Sequence, residues 1–538
     1  MLKSQIEVCF SLLLLIGNVI NASGQIDEKS LFGLNEEKAK QLINRGYVEY
    51  SDFGAVGDAK VNDFEAIIMA HNFANKYNIE VMANEGATYY IGDNDLTANI
   101  QTTTSFGSAT FIIDDRKVIN RKASIFEITS RMEPYKIDYA SPIKKNQKKL
   151  EVLLSTKSLI AVSNRKRMHY IRLGLNQNQG SSQTDIFLVD NNGFVNSETP
   201  IIWNFNEITE MKIIPIDTST IKISGGRFIT KANQSKSEYN YFRRNIVVER
   251  SHVIIDGLEH YIEGEGLEGA PYLGFVSISN AYNVIIQNTL FTGHKKYSTI
   301  GAQGKPVSMG SYDITVNKGL NISFINCNQT NDINDDNFWG LMASNYSKNL
   351  SLENCKFSRF DAHMGVNDAT IRNSTLGYMG INAIGSGTLL VENSEVRARN
   401  LINFRKDYGS TWQGELVIRN CIFKPVGKKI SDISLFSGYN TGQHDFGYAC
   451  YMPKSIHIEN LHIYDCYLDR KDFQLTIFTD FNEEMVNDTY NEQFPYITTQ
   501  RLTLINVTSS NQKTLKISDN NYMFRNLIVE GNTEYVPF

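Results

Sequence analysis

Between Leu401 and Phe423 the chain reads LINFRKDYGSTWQGELVIRNCIF. Two cations, a carboxylate and a phenol, Arg405, Lys406, Asp407 and Tyr408, stand together shortly before Glu415–Phe423, which alternates outward charge with inward apolar residues as a strand does. Such a group can hold an anion, because a guanidinium grips a carboxylate through two parallel hydrogen bonds. It can also move protons, since an ammonium, an imidazole or a phenol serves as general acid or base. Upstream, His363 lies nine residues past Asn354 and Asn382 nine past Asn373, so both fall at one phase of successive segments. Asn403 follows in the next segment. If that phase is kept in space, His363, Asn382 and the Arg405 cluster converge. Each residue also has a plainer reading: His363 as a turn cap, Arg397 and Arg399 as solvated cations, Asp407 as a holder of Arg405, and Tyr408-Gly409 as turn chemistry.

The elements that position these residues announce themselves as a repeat. VIIQNTLF (284–291), ISFINCNQ (322–329), LSLENCKF (350–357), ATIRNSTL (369–376), LLVENSEV (389–396), LVIRNCIF (416–423), IHIENLHI (456–463) and LTLINVTS (502–509) each carry an asparagine at the same place. These are Asn288, Asn326, Asn354, Asn373, Asn393, Asn420, Asn460 and Asn506, and from Asn354 the steps are 19, 20 and 27 residues. Short alternating strands at such periods, with no helical pattern, predict stacked coils of a parallel β-solenoid, each asparagine turning the strand and bonding to the next coil. A β-sandwich also alternates, but it does not require asparagine at one phase of eight strands. The residue after each asparagine is small or apolar, so Cys327, Cys355 and Cys421 are read as interior packing.

Near the start, SDFGAVGDAKVNDFEAIIMAHNFANKYNIEVMANEGATYYIG runs from Ser51 to Gly92. Asp63 is expected to cap a helix whose Ala66, Ile67, Ala70, Phe73 and Ala74 share one face. The stretch resembles the N-terminal signature of the pectate-lyase-like superfamily of right-handed parallel β-helices, roughly FGAxGDGxxxDxxAI followed by a GxY turn. Phe53, Gly54, Ala55, Gly57, Asp58, Asp63, Ala66, Ile67, Gly86 and Tyr89 match it, and Ala59 departs from it. The resemblance implies an all-β, right-handed parallel β-helix whose open end this helix covers. It speaks to fold far more than to reaction.

The remaining organisation follows from texture. Residues 1–24 hold one lysine, an apolar run at Leu12–Ile16 and then Ala22, Ser23 and Gly24, the pattern of a signal peptide too short to span a bilayer. Residues 25–119 are read as cap and first coils, 120–215 as an inserted small β-domain with a basic stretch at Lys144–Lys149, and 216–538 as the main β-helix. The mature chain is expected to be periplasmic or secreted, without a membrane span. The 538 residues carry a formal charge of −5, which gives no basic footprint for nucleic acid. The odd set of five cysteines after the signal builds no disulfide framework or zinc site.

A β-helix lays loops of successive coils along one flank as a groove suited to a long polymer. There the cationic cluster becomes the wall of an acidic-sugar site, and the chemistry it suits is β-elimination from a uronic acid. That reaction needs the sugar carboxylate neutralised, a base at C5 and help for the departing C4 oxygen. Arg405 or Arg399 with Asn382 is assigned the first task, His363 or Lys406 the second and Tyr408 the third, with Arg397 and Asn403 as further binders and Trp339 and Trp412 stacking on sugar faces. The asparagine-rich chain and its signal look like glycan-degrading proteins of Bacteroidetes, some of whose β-helix lyases cut chondroitin-type glycosaminoglycans; pectic and alginate-like uronates stand beside them. A hydrolase needs two carboxylic groups at a set separation. Asp332, Asp335, Asp336 and His294 are available for it, but the polygalacturonase order of motifs is missing. The alternatives are thus a glycoside hydrolase or a non-catalytic glycan binder on the same fold. No cofactor is implied, except that Asp332, Asp335 and Asp336 leave Ca²⁺ open by analogy with β-helix lyases; an EF-hand is excluded. Monomer and homo-oligomer are both compatible with the chain.

Overall fold

The computed structural model describes residues 32–536 except 93–94, 175–176, 239, 267–268, 302, 428–431, 441, 443–444 and 467–472, so the signal-peptide reading of residues 1–24 lies outside the described residues. Thirty-two strands belong to a single sheet system, and its paired strands are parallel. In-register pairing carries one core column down the axis: Val284 lies over Ile322, then Leu350, Ala369, Leu389, Leu416, Ile456 and Leu502. All are buried. Each such leucine or isoleucine contributes about 1.5–3 kcal/mol through its removal from water. The molecule is an all-β parallel β-helix.

The repeated asparagines mark the corners. All eight adopt the left-handed conformation, with φ between 49° and 55°, a region that asparagine tolerates better than most residues. Their amides form a ladder on the surface. Asn326 Nδ2 donates to Asn288 Oδ1 (3.2 Å), Asn354 to Asn326 (2.6 Å), Asn420 to Asn393 (3.2 Å), Asn460 to Asn420 (2.9 Å) and Asn506 to Asn460 (3.0 Å). The run is interrupted at Asn373, which donates to Glu353 instead. Cys327, Cys355 and Cys421 are buried beside this corner as unpaired thiols.

A helix, Phe64–Tyr77, closes the N-terminal end and buries Phe64, Ala66, Ile67, Ala70, Phe73 and Ala74. Asp63 does not cap it. Its carboxylate turns back and accepts from the backbone N–H groups of Val56 (2.6 Å) and Gly57 (3.4 Å), pinning the FGAVG loop. A further helix, Glu36–Arg45, precedes it, capped by Asn35.

The insertion starts later than residue 120, because Phe126–Thr129 still pairs with Ile246–Glu249 in the main sheet. Its four antiparallel strands are Tyr135–Ile137, Ser158–His169, Ser181–Val189 and Glu210–Pro215. One face packs Ile160, Val162 and Phe187 under the insertion's own loops, and the other packs Leu159, Ile186 and Leu188 against Leu320 of the β-helix. Coverage on both faces explains the unbroken apolar runs LIAV and IFLV. A buried ion pair fastens the two parts, with Lys348 Nζ 2.8 Å from Asp185 Oδ1. No helix among the described residues is long and apolar enough to cross a membrane.

Candidate functional site

An open groove of about 980 Å³ runs across successive rungs, from Ser308–Tyr312 to Ser437 and Thr479. A column fixed by register runs through its floor, in which fully buried Asp361, beneath the groove, lies over Asn382, Asn382 over Asn403 and Asn403 over Ser437. Asn403 Nδ2 donates to Asn382 Oδ1 (2.7 Å), and Ser437 Oγ to Asn403 Oδ1 (3.0 Å). The groove walls carry the cations Arg172, Arg359, Arg399, Arg405 and Lys406, and among their described residues the carboxylates Asp407 and Asp432.

Arg405 anchors a chain of alternating charge. Its Nη1 lies 3.1 Å from Asp361 Oδ2, and its Nη2 lies 3.0 Å from Asp407 Oδ2. Asp361 also receives Arg359 Nη2 (2.5 Å), and Asp407 receives Arg172 Nη2 (3.0 Å). Burial opposes the charge of Arg405, but Asp361 and Asp407 outweigh it and raise its pKa above the ordinary value. Burial likewise disfavours ionised Asp407, and Arg405 and Arg172 reverse that, holding it below the usual carboxylate range. Three guanidinium groups against two carboxylates leave a cationic surplus, to which exposed Arg399 and Lys406 add.

Of the residues singled out in the sequence, Trp339, Asn382, Arg399, Asn403, Arg405 and Lys406 line the groove. His363 and Tyr408 do not, but they meet each other beside it. His363 Nδ1 lies 2.8 Å from Asn345 Oδ1, and its Nε2 lies 3.4 Å from the Tyr408 hydroxyl. Burial, then the cations Arg405, Arg172 and Arg359, push the imidazole well below its ordinary pKa. A neutral ring that donates from Nδ1 to the asparagine oxygen leaves Nε2 as an acceptor for Tyr408. Burial lifts the Tyr408 phenol to about 12, with Arg172 and Arg405 pulling the other way.

Other expectations are corrected. Trp412 is fully buried in the core, with Nε1 donating to Gly387 O (3.0 Å), and no sugar reaches its ring. Arg397 turns to Glu395 (2.7 Å) and lies outside the groove. Asp332 and Asp335 of the proposed calcium loop take part in turns. Asp332 Oδ1 accepts from the backbone and side chain of Asn334, and Asp335 Oδ1 from those of Asn337, so both carboxylates build turns. Among the described residues no group of three or more His, Cys, Asp or Glu side chains is arranged to hold a metal. His294 is buried between Glu265 (3.0 Å) and Asp313 (3.1 Å). Burial works against its charge, but these carboxylates prevail and raise it to about 10.

Arg172, Arg359, Asp361 and Tyr378 belong to the site and went unread in the sequence. Arg172 arrives from the insertion, whose Leu173 N–H also bonds Asp407 O (3.2 Å). Tyr378 donates to Phe338 O (2.7 Å) and keeps its ring in the groove wall.

The fold and groove define a parallel β-helix protein with a cationic surface trough. No protein-family model matches the sequence, and no curated protein sequence does. Among solved structures, the chain is similar to the tailspike gp61 of Pseudomonas phage phi297 (TM-score 0.53, 12% identity, covering 90% of this chain and 84% of that one). It is also similar to the tailspike gp49 of Pseudomonas phage LKA1 (0.51, 11%, 90% and 84%). A third likeness is to the Gp54 tailspike of Acinetobacter baumannii bacteriophage AP22, solved in complex with a capsular saccharide (0.52, 10%, 96% and 82%). At these identities the likeness is one of fold.

Proposed function

We propose that the protein is a secreted or periplasmic polysaccharide lyase that binds an acidic, uronate-containing glycan along the groove and cleaves it by β-elimination. Membership of the pectate-lyase-like superfamily, carried by the Phe53–Tyr89 motif, is part of this reading. The observation that carries it is the charge of the groove: among the described residues five cations stand with three carboxylates, and two of those, Asp361 and Asp407, are already held by arginines. A polyanion is the polymer such a surface selects. The saccharide bound to the AP22 tailspike supports a glycan partner on this architecture.

Hydrolysis fits the groove less well. It needs one carboxyl protonated at the start, with a raised pKa, to give its proton to the leaving oxygen. Asp407 is driven the other way. Elimination needs instead a neutralised sugar carboxylate and groups that move a proton. The guanidinium array supplies the first. Lys406 on the groove wall and the His363–Tyr408 pair beside it are the candidates for the second.

The test is incubation with a panel of uronate polymers, glycosaminoglycan, pectic and alginate-like. A lyase leaves an unsaturated, ultraviolet-absorbing end on each new chain. New reducing ends without that absorbance would establish hydrolysis, and binding without any product would establish a non-catalytic glycan binder.

A further inference from the structure

We infer that Arg359 and Trp339 form the receptor for a single sugar carboxylate, a role that rests on reading the groove as a uronate site. The Arg359 side chain is only 4% exposed and yet lines the groove. Its Nη2 is taken by Asp361, while Nε and Nη1 meet no acceptor among the described residues. The indole Nε1 of Trp339, also on the groove wall, is buried without an acceptor as well. A fourth such atom is Arg172 Nε, on the same wall. Among the described residues, every buried, unsatisfied side-chain atom of the groove lining is therefore a donor. Buried donors left unmatched are costly, more so when charged, and an arriving oxyanion removes that penalty.

The slot is shaped for this purpose. A Cβ on Gly340 would stand 2.1 Å from Arg359 Cδ, and one on Gly310 would stand 2.1 Å from Trp339 Nε1, so both side chains occupy space that only glycine leaves open. The guanidinium carbon sits 5.7 Å from the centre of the Trp339 ring, and the Trp339 backbone is tied to His294 O (2.7 Å). Trp339 and Tyr378 remain half-buried, with ring area left for a pyranose. A carboxylate presented by that sugar meets guanidinium donors, Nε or Nη1, whose position is already fixed by the Nη2–Asp361 contact, which reduces the ordering cost of binding. Arg399 and Lys406 are exposed, so they attract the polymer in a salt-dependent way without choosing its register.

The test compares calorimetric binding of a size-defined uronate oligosaccharide with that of the same oligosaccharide after its carboxyl groups are reduced to alcohols. Wild type should prefer the acidic form, and Arg359→Met should lose on the order of 10- to 100-fold in affinity for it while binding the reduced form as wild type does. Arg359→Lys keeps a cation beside Asp361 and should fold as wild type; it should still lose most of the preference, because an ammonium paired with Asp361 has no second fixed donor like Nε or Nη1 to offer. Arg399→Gln should weaken binding less, with the loss fading as salt is raised. Undiminished preference in both Arg359 variants would overturn the assignment while leaving the lyase reading intact. Equal binding of the acidic and reduced forms by wild type would overturn both.

Discussion

Arg405 is clamped between Asp361 and Asp407, with Nη1 at 3.1 Å from one carboxylate and Nη2 at 3.0 Å from the other. The guanidinium that looked most ready to grip a substrate is therefore engaged, and its role is to hold the wall on which Lys406 and Asp407 sit. Arg405→Ala takes one of two arginine partners from buried Asp361 and from half-buried Asp407 and should destabilise the protein by about 1.5–3 kcal/mol, read from urea unfolding. Lys406→Ala should leave the unfolding midpoint unchanged and cut turnover by roughly 10²-fold or more. A fully stable Arg405→Ala variant would show that the clamp carries no load.

His363 gives a pH signature. An ordinary histidine titrates near pH 6.5, but this ring is held well below that and is neutral across the mildly acidic range. Its base form is thus present above the depressed pKa. Turnover that uses the His363–Tyr408 pair should stay flat as pH falls from about 7 to about 5.5, with its acid limb lower still. An inflection near pH 6.5 that disappears in His363→Asn would show an imidazole titrating in the ordinary way.

The asparagine ladder separates two effects at one residue. Asn326 holds φ at 55° and bonds both Asn288 and Asn354. Asn326→Gly keeps the backbone freedom and loses the ladder contacts; Asn326→Ala loses both. Chemical denaturation should rank wild type above glycine and glycine above alanine, with alanine lower by about 1–2 kcal/mol for the left-handed conformation. Equal stability of the two variants would mean the conformation costs nothing there.

The repeat was legible because a coil corner is a local event: a left-handed residue must follow each strand, and asparagine supplies it at Asn288 through Asn506 whatever the loops do between. Trp412 was misread because residue type does not reveal which face of the strand points inward when both neighbours, Thr411 and Gln413, are polar. Arg359 was invisible for a different reason. In KFSRFDAH it reads as one solvated cation on a strand, and only the packing of Trp339 and Gly340, from another stretch of chain, together with its own strand neighbour Asp361, turns it into a buried donor. Arg172 lies far upstream and reaches Asp407 only through the fold of the insertion, which no spacing in the β-helix can signal.

His169 tests the junction between insertion and β-helix. It is fully buried, its ring stands against Trp203 and Tyr448, and neither ring nitrogen has a partner among the described residues. Burial lowers it to about 3. Below about pH 6.5 the unfolded chain takes up a proton that the folded one refuses, so stability drawn from the neutral ring is lost as pH falls, by roughly 1.4 kcal/mol per pH unit. His169→Phe removes this dependence. The variant should gain on wild type between pH 7 and 5 in guanidinium unfolding, and parallel pH curves would contradict the burial of a neutral imidazole.

The Lys348–Asp185 pair decides whether the insertion is a fixture or a hinge. Both side chains are 1% exposed, Lys348 Nζ also bonds Pro200 O, and Asp185 accepts from the backbone of Ile186 and Ile202 at 2.8 Å each. Burial raises the Asp185 pKa, with Lys348 opposing, and lowers that of Lys348, with Asp185 opposing, so each group stays charged chiefly because the other is there. Lys348→Met strands the carboxylate and should cost about 3–5 kcal/mol, whereas Lys348→Met with Asp185→Leu removes both charges and should recover much of the loss. Because Arg172 rides on the insertion, loosening it should also free Asp407 and reduce turnover. Limited proteolysis between Tyr135 and Pro215 alongside activity would read both effects. Faster cleavage of the insertion in Lys348→Met with undiminished activity would separate the insertion from the site.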